Sequence, residues 1–150
     1  MIAHIQGKLV EKNPTDVVID CGGVGYHINI SLHTYSLLPN TDQIKLFTYL
    51  QVKEDAHTLF GFFEKSEREI FKMLLSVSGI GASIARTMLS SLEPKQIIQA
   101  IASGDVGTVQ SIKGIGLKTA QRVILDLQDK VLKLYDLDEV SMVLNNTNRD

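Results

Sequence analysis

Residues 76–92 read Ser-Val-Ser-Gly-Ile-Gly-Ala-Ser-Ile-Ala-Arg-Thr-Met-Leu-Ser-Ser-Leu, and residues 111–127 read Ser-Ile-Lys-Gly-Ile-Gly-Leu-Lys-Thr-Ala-Gln-Arg-Val-Ile-Leu-Asp-Leu. At an offset of 35 residues Ser76 falls on Ser111, Gly79 on Gly114, Ile80 on Ile115, Gly81 on Gly116, Ala85 on Ala120 and Leu92 on Leu127. A period of this size marks a duplicated supersecondary unit. Before the first glycines, Ile70, Phe71, Leu74 and Leu75 recur at helical spacing. Ser78-Gly79-Ile80-Gly81 then breaks the helix, and Ile84, Ala85, Met88, Leu89 and Leu92 restart a helical stripe. Ala120, Val123, Ile124 and Leu127 repeat the stripe in the second copy. Each copy therefore reads as helix, tight Gly-Ile-Gly hairpin, helix, with Ile80 and Ile115 plugged into the core.

The second helix of each copy starts just past its glycines. Its first backbone N–H groups have no acceptor in the helix, and together with the helix dipole they favour an anion such as a phosphate. Two other readings stand beside this one. Gly-x-Gly also opens dinucleotide-binding folds, but there a strand precedes it and one copy suffices. The plainer alternative is a pair of helix caps in a bundle with no ligand.

Outward from the hairpins, the chain has 150 residues and is 44% hydrophobic, enough for one ordinary domain or two small ones. It has no apolar run of membrane-spanning length and no signal-peptide pattern at its start. The single cysteine, Cys21, excludes an internal disulfide and suits a reducing compartment, so a cytoplasmic location is expected. His4, His27, His33 and His57 are scattered, with no pair at zinc-ligand spacing, and read as structural. Net charge is −2 overall but unevenly spread: −3 over residues 1–64, +3 over 65–130 and −2 over 131–150. The positive part is the part with the duplicated hairpins, a modest bias toward a nucleic-acid partner.

Residues 1–63 read as β. Strands are expected at Ile2–Val10, Asp16–Cys21, Tyr26–Ser31, Ile44–Lys53 and Ala56–Phe63, with turns at Asn13-Pro14-Thr15 and Gly22-Gly23-Val24-Gly25 and a short helical turn over Leu32–Leu38. Ile44, Leu46, Thr48, Leu50 and Val52 share one face of the fourth strand, and Lys45, Phe47, Tyr49, Gln51 and Lys53 the other. Five short strands suggest a small Greek-key barrel of the OB type, with an SH3-like barrel the alternative. Glu54-Asp55 makes the tight connection before the last strand; an isolated acidic pair there is ordinarily a solvated turn. The fold class is thus α+β with more than one domain: an N-terminal five-stranded OB-type barrel over 1–64, then an all-α tandem helix-hairpin-helix domain over 65–140. Ser66 with Glu69 three residues on suggests a capping box at the helical start. Pro94 suits a new helix start, Ser103-Gly104-Asp105 breaks the next helix, and helix is expected to about Leu137. Residues 141–150 read as the beginning of a flexible linker or a frayed tail.

A barrel followed by tandem hairpins resembles the RuvA family, bacterial proteins that bind four-way (Holliday) junctions during branch migration. The resemblance covers essentially the whole chain. It includes Met1-Ile2-Ala3-His4-Ile5-Gln6-Gly7, Val52-Lys53-Glu54-Asp55-Ala56, Leu59-Phe60-Gly61-Phe62 and both Gly-Ile-Gly hairpins. It implies a four-fold tetramer, two of which can sandwich a junction as an octamer, with the barrels at the centre and the hairpins along the arms. It implies that Glu54 and Asp55 form an acidic pin at the crossover, where carboxylates repel phosphates. It implies phosphate contacts at Gly79, Gly81, Ser83, Gly114, Gly116, Lys118, Thr119 and Arg122. Backbone contacts of this kind carry no sequence information, which suits DNA that must slide.

The implied partners are junction DNA, the hexameric ATPase motor RuvB and the resolvase RuvC, in recombination and repair, with no membrane and no cofactor. There are departures. Many family members carry lysine where this chain has Ser83 and Leu117, with Arg86 or Lys113 the candidates to compensate. The family also has a third, motor-contacting domain, and this sequence stops where the linker to it would begin. Gly116-Leu117-Lys118-Thr119 only echoes an ATPase phosphate loop, since Leu117 and Ile112 stand where glycines are required. ATP hydrolysis is therefore expected from a partner. Asp105, Glu93 and Asp126 read as surface or capping residues. The rival readings are another tandem-hairpin DNA-binding module, such as a nuclease accessory domain, and a dinucleotide-binding enzyme domain.

Overall fold

A computed structural model of the chain describes residues 1–135. The expected end of the last helix near Leu137 and the linker at 141–150 lie outside the described residues. The chain forms two compact units, Met1–Ile70 and the residues from Phe71 on.

The first unit is a closed barrel of β1 (His4–Lys12), β2 (Asp16–Cys21), β3 (Val24–Ile30), β4 (Gln43–Val52) and β5 (His57–Phe62), with α1 (Leu32–Leu37) between β3 and β4. Around the barrel the order is β1-β2-β3-β5-β4. The β3–β5 pair is parallel, with Ile28 opposite Leu59, and the other four pairings are antiparallel. This order, with a helix bridging β3 to β4, is the OB arrangement and removes the SH3-like alternative. Ile5, Val17, Ile19, Ile28, Ile30, Ile44 and Leu46 fill the interior. β-Branched side chains dominate that set, and they suit a pleated surface packed on one side.

Three strands differ from the pattern-based reading for clear reasons. β1 starts later than expected and runs to Lys12 because it serves two partners. His4–Lys8 pair with β4, Lys8–Lys12 pair with β2, and an irregularity between Leu9 and Glu11 re-aims the strand between them. β3 starts at Val24 because Gly22 and Gly23 carry the turn alone, at φ 62° and 97°, with the Gly23 N–H donating to Asp20 Oδ1 at 2.8 Å. β4 keeps its alternation only as far as Thr48. Beyond it Val52 is 62% exposed, so the end of the β4–β5 hairpin leaves the core.

The helix α2 (Lys65–Leu75) begins one residue before Ser66. Ser66 therefore sits inside the first turn, and the expected Ser66–Glu69 capping box does not form the helix start. The first turns of α2 are tied to the barrel unit instead. Arg68 Nη1 donates to the Ala3 carbonyl at 2.8 Å, and its guanidinium lies over the Phe47 ring. Glu67 is fully buried. It accepts from Ser31 Oγ and Thr34 Oγ1, both at 2.5 Å. Ser31 in turn caps α1 by accepting from the Thr34 N–H at 3.0 Å.

Burial raises the Glu67 carboxyl above its ordinary 4.5; the two hydroxyls and His33 pull it down, and Glu64 pushes it further up. A raised folded value makes the proton more tightly bound in the native state. This contribution to stability is thus present in full below about 4.5 and lost as pH rises through the raised value. In urea unfolding across this range, Glu67→Gln should flatten the pH dependence relative to the unsubstituted chain. Glu67→Ala should cost about 2 kcal/mol by leaving two buried hydroxyl protons unaccepted. Equal pH profiles for the unsubstituted chain and Glu67→Gln would show that Glu67 does not titrate differently on folding.

In the second unit the helices are α3 (Ala82–Ser91), α4 (Pro94–Ser103), α5 (Val106–Gln110) and α6 (Leu117–Leu134). Pro94 opens α4 as expected, behind a capping box in which the Glu93 N–H donates to Gln96 Oε1 at 2.8 Å. Gly104 ends α4 at φ 72°. Asp105 then caps α5, and the Thr108 hydroxyl and N–H bound to its carboxylate hold its pKa below the ordinary value. Because that break comes so late, the entering helix of the second copy has 5 residues against 11 in α2. The duplication is close in the hairpins and unequal in the helices on either side, the exit helices having 10 residues in α3 and 18 in α6.

Candidate nucleic-acid interface

Both Gly-Ile-Gly segments fold alike. Gly79 and Gly114 take φ 94° and 90°, a left-handed backbone that side chains rarely tolerate. Two residues on, Gly81 and Gly116 are the N-caps of α3 and α6, with φ/ψ of −92°/177° and −87°/175°. The Ile80 N–H donates to the Val77 carbonyl and the Ile115 N–H to the Ile112 carbonyl, each at 3.1 Å. Val77, Ile80, Ile112 and Ile115 are all buried, so each hairpin is anchored from below by two apolar side chains. A helix precedes each segment, not a strand, which removes the dinucleotide-fold reading.

The exit helices begin with their amides open. The first intrahelical bonds run from Ala85 to Gly81 and from Ala120 to Gly116, each at 2.9 Å. The preceding amides, Ala82 to Ile84 and Leu117 to Thr119, receive no cap from a side chain. Each cluster of donors thus faces outward at the positive end of a helix. The two hairpins lie beside each other. A Cβ built on Gly79 would come within 4.0 Å of Thr119 Oγ1, and one on Gly114 within 3.2 Å of Ile84 Cδ1. Ile84 and Thr119 are themselves related by the 35-residue offset, so each hairpin touches the equivalent place on the other's exit helix.

Of the side chains singled out, Ser83, Lys118 and Arg122 are exposed and Thr119 is half-buried beside Gly79. Arg122 pairs loosely with Asp126 at 3.7 Å. Leu117, the first residue of α6, is 49% exposed, an apolar side chain at the mouth of the amide cluster. Lys113, expected only as a substitute for a missing lysine, is exposed and directly precedes Gly114. Its signal was present in the repeat, where it stands opposite Ser78.

Glu54 and Asp55 belong to the barrel unit. They form the tip of the β4–β5 hairpin, closed by the Lys53 N–H to the Ala56 carbonyl at 2.8 Å. Both are exposed, and neither has a hydrogen bond or ion pair with another described residue. Two unneutralised carboxylates are thus held out on a hairpin whose flanking residue, Val52, has already left the core. Among the described residues no group of three or more His, Cys, Asp or Glu could hold a metal ion, and no helix is long and apolar enough to cross a membrane.

A closed OB-type barrel followed by two amide-presenting hairpins defines the class: a tandem helix-hairpin-helix protein with an N-terminal barrel. The family model described as the RuvA N-terminal domain matches residues 1–61, and that of the SAM-like helix-hairpin-helix tandem matches 71–129. Over its whole length the chain is 77% identical to a Flavobacterium psychrophilum protein named Holliday junction branch migration complex subunit RuvA, and covers 78% of it. The protein of the same name from Christiangramia forsetii is 64% identical over all 150 residues, again with 78% of its length covered. That of Cytophaga hutchinsonii is 57% identical over 133 residues, 89% of this chain and 67% of the relative. The chain belongs to the RuvA family.

Proposed function

We propose that this chain is a structure-specific DNA-binding subunit that recognises four-way junctions and holds them open during branch migration, in recombination and repair. The observation that carries the reading is the pair of side-by-side hairpins with matching backbone and uncapped exit helices. Two such donor clusters suit two phosphate groups on neighbouring backbones, and amide donors are indifferent to base sequence. The names of the relatives, each a subunit of a Holliday junction branch migration complex, support the junction as the substrate. In this reading Gly79, Gly81, Ser83, Gly114, Gly116, Lys118, Thr119 and Arg122 meet phosphates, and Glu54 and Asp55 stand at the crossover.

The chain itself is non-catalytic here, and a separate ATPase supplies the work; the RuvB hexamer is the proposed motor and RuvC a further proposed partner. Four copies arranged about the junction, or eight in two layers, would place a hairpin pair on each arm. The barrel, residues 1–64, would lie at the centre and the helical part, from residue 65, along the arms. A gel-shift titration comparing a fixed four-way junction with linear duplex of the same arm sequence tests the reading. Tight junction binding with weak duplex binding is expected. Equal affinity would remove the junction claim and leave a generic phosphate-binding module. Sedimentation of the protein alone separates a tetramer from the monomer or dimer that a nuclease accessory module would need.

A further inference from the structure

We infer that the two hairpins hold their two backbones by different physics, the second through positive charge and the first through neutral hydrogen bonds. The inference rests on the DNA-binding reading above and goes on to divide its labour. The main chains of the hairpins are equivalent, with φ 94° and 90° at the turn glycines and matching extended caps, so any difference lies in side chains.

Residues 76–87 and 111–122 cover each hairpin with the start of its exit helix. The second stretch carries Lys113, Lys118 and Arg122, all exposed. At the 35-residue offset these stand opposite Ser78, Ser83 and Thr87. The first stretch has one basic residue, Arg86, which is half-buried and already engaged within the protein; its counterpart is Gln121. Thr87, in the place of Arg122, turns its hydroxyl back to the Ser83 carbonyl at 3.0 Å. Ser78 and Ser83, both exposed, are left with the amides at the first hairpin. Asp126 lies 3.7 Å from Arg122 on an open surface, too loose to withhold it from a phosphate.

A cation that neutralises a phosphate releases condensed counterions, and its contribution falls as salt rises; a neutral donor releases none. Salt should therefore loosen the strand under the second hairpin and spare the strand under the first. The test is binding of a fixed four-way junction by the full chain between about 50 and 200 mM salt. Lys118→Gln is expected to flatten the salt dependence by about 0.9 in log–log slope for every copy that meets a phosphate, or about 3.5-fold over that range. Ser83→Ala should weaken binding by the same factor at both ends, with the slope unchanged. Ser83→Lys should steepen the slope by about the amount that Lys118→Gln removes. An unchanged slope in Lys118→Gln, or a slope in Arg86→Gln flattened as much as in Lys118→Gln, would overturn the division. Failure of the unsubstituted chain to bind junction or duplex at any salt would instead remove the DNA reading, and the division with it.

Discussion

Replacing Gly81 and Gly116 together by aspartate is expected to stabilise the protein and to destroy its hold on DNA. Both positions are helix N-caps with extended backbone that any residue adopts, and a Cβ at either meets nothing within 4 Å. The new carboxylates would accept from the open amides of α3 and α6. An N-cap aspartate exceeds glycine by a few tenths of a kcal/mol, and its charge at the helix start adds about 0.3–1 kcal/mol. The same amides would then be unavailable to phosphate, and a negative charge would stand in its place. Losing a charged hydrogen-bonding site at each of two hairpins, at about 1.5 kcal/mol or more each, predicts at least a hundredfold loss of junction affinity. Thermal unfolding and a junction titration on one preparation read both effects. Retained affinity in the more stable variant would mean that the hairpin amides are not what holds the DNA.

The second large effect is one of selectivity. Glu54→Gln with Asp55→Asn should raise affinity for linear duplex about tenfold while changing junction affinity far less. A carboxylate about 6–8 Å from a phosphate costs about 0.5–0.7 kcal/mol in a watery surround, and two per copy, repeated over several copies, reach the energy of a tenfold change. Stability should move by less than about 0.5 kcal/mol, because both side chains are exposed and without partners among the described residues. Competition between labelled junction and unlabelled duplex measures the ratio directly. An unaltered ratio would return Glu54 and Asp55 to the status of a solvated turn.

What could be read from the chain before its structure follows the reach of each signal. The hairpins were legible because the repeat at Gly79 and Gly114 supplies its own control: a chance glycine pair does not recur with Ile80, Ala85 and Leu92 in step. β4 was legible while Ile44, Leu46 and Thr48 faced a core. The same alternation continues through Leu50 and Val52 after the core has ended, so pattern alone could not show that the tip stands clear. Glu67 was illegible for the opposite reason. A glutamate in a first helical turn reads as solvated, and only the fold brings Ser31 and Thr34, more than 30 residues earlier, to its carboxylate. The acid at Glu69 drew the helix start to Ser66, and the real box formed at Glu93 and Gln96. The double duty of β1 was hidden because Leu9 and Glu11 give no local sign of the irregularity between them.

The ring of strands has a consequence for how the chain acquires its structure at all. Ile5 pairs with Leu46, and Ile28 with Leu59, so closure joins residues that are 41 and 31 apart in the chain. In the helical unit the packed elements α4, α5 and α6 follow one another directly. Nonlocal pairing pays its loop entropy before any contact repays it, so the barrel should be the slower unit to form. The protein has no tryptophan, and Tyr26, Tyr35 and Tyr49 of its four tyrosines lie in the barrel unit. In stopped-flow refolding, helical circular dichroism should therefore lead tyrosine fluorescence; coincident phases would show that the units fold together. On the ribosome the order of synthesis runs against the order of ease. At about 5–20 residues per second, the His4–Lys8 half of β1 waits roughly 2–8 s for β4 to be made, without its partner strand through that interval.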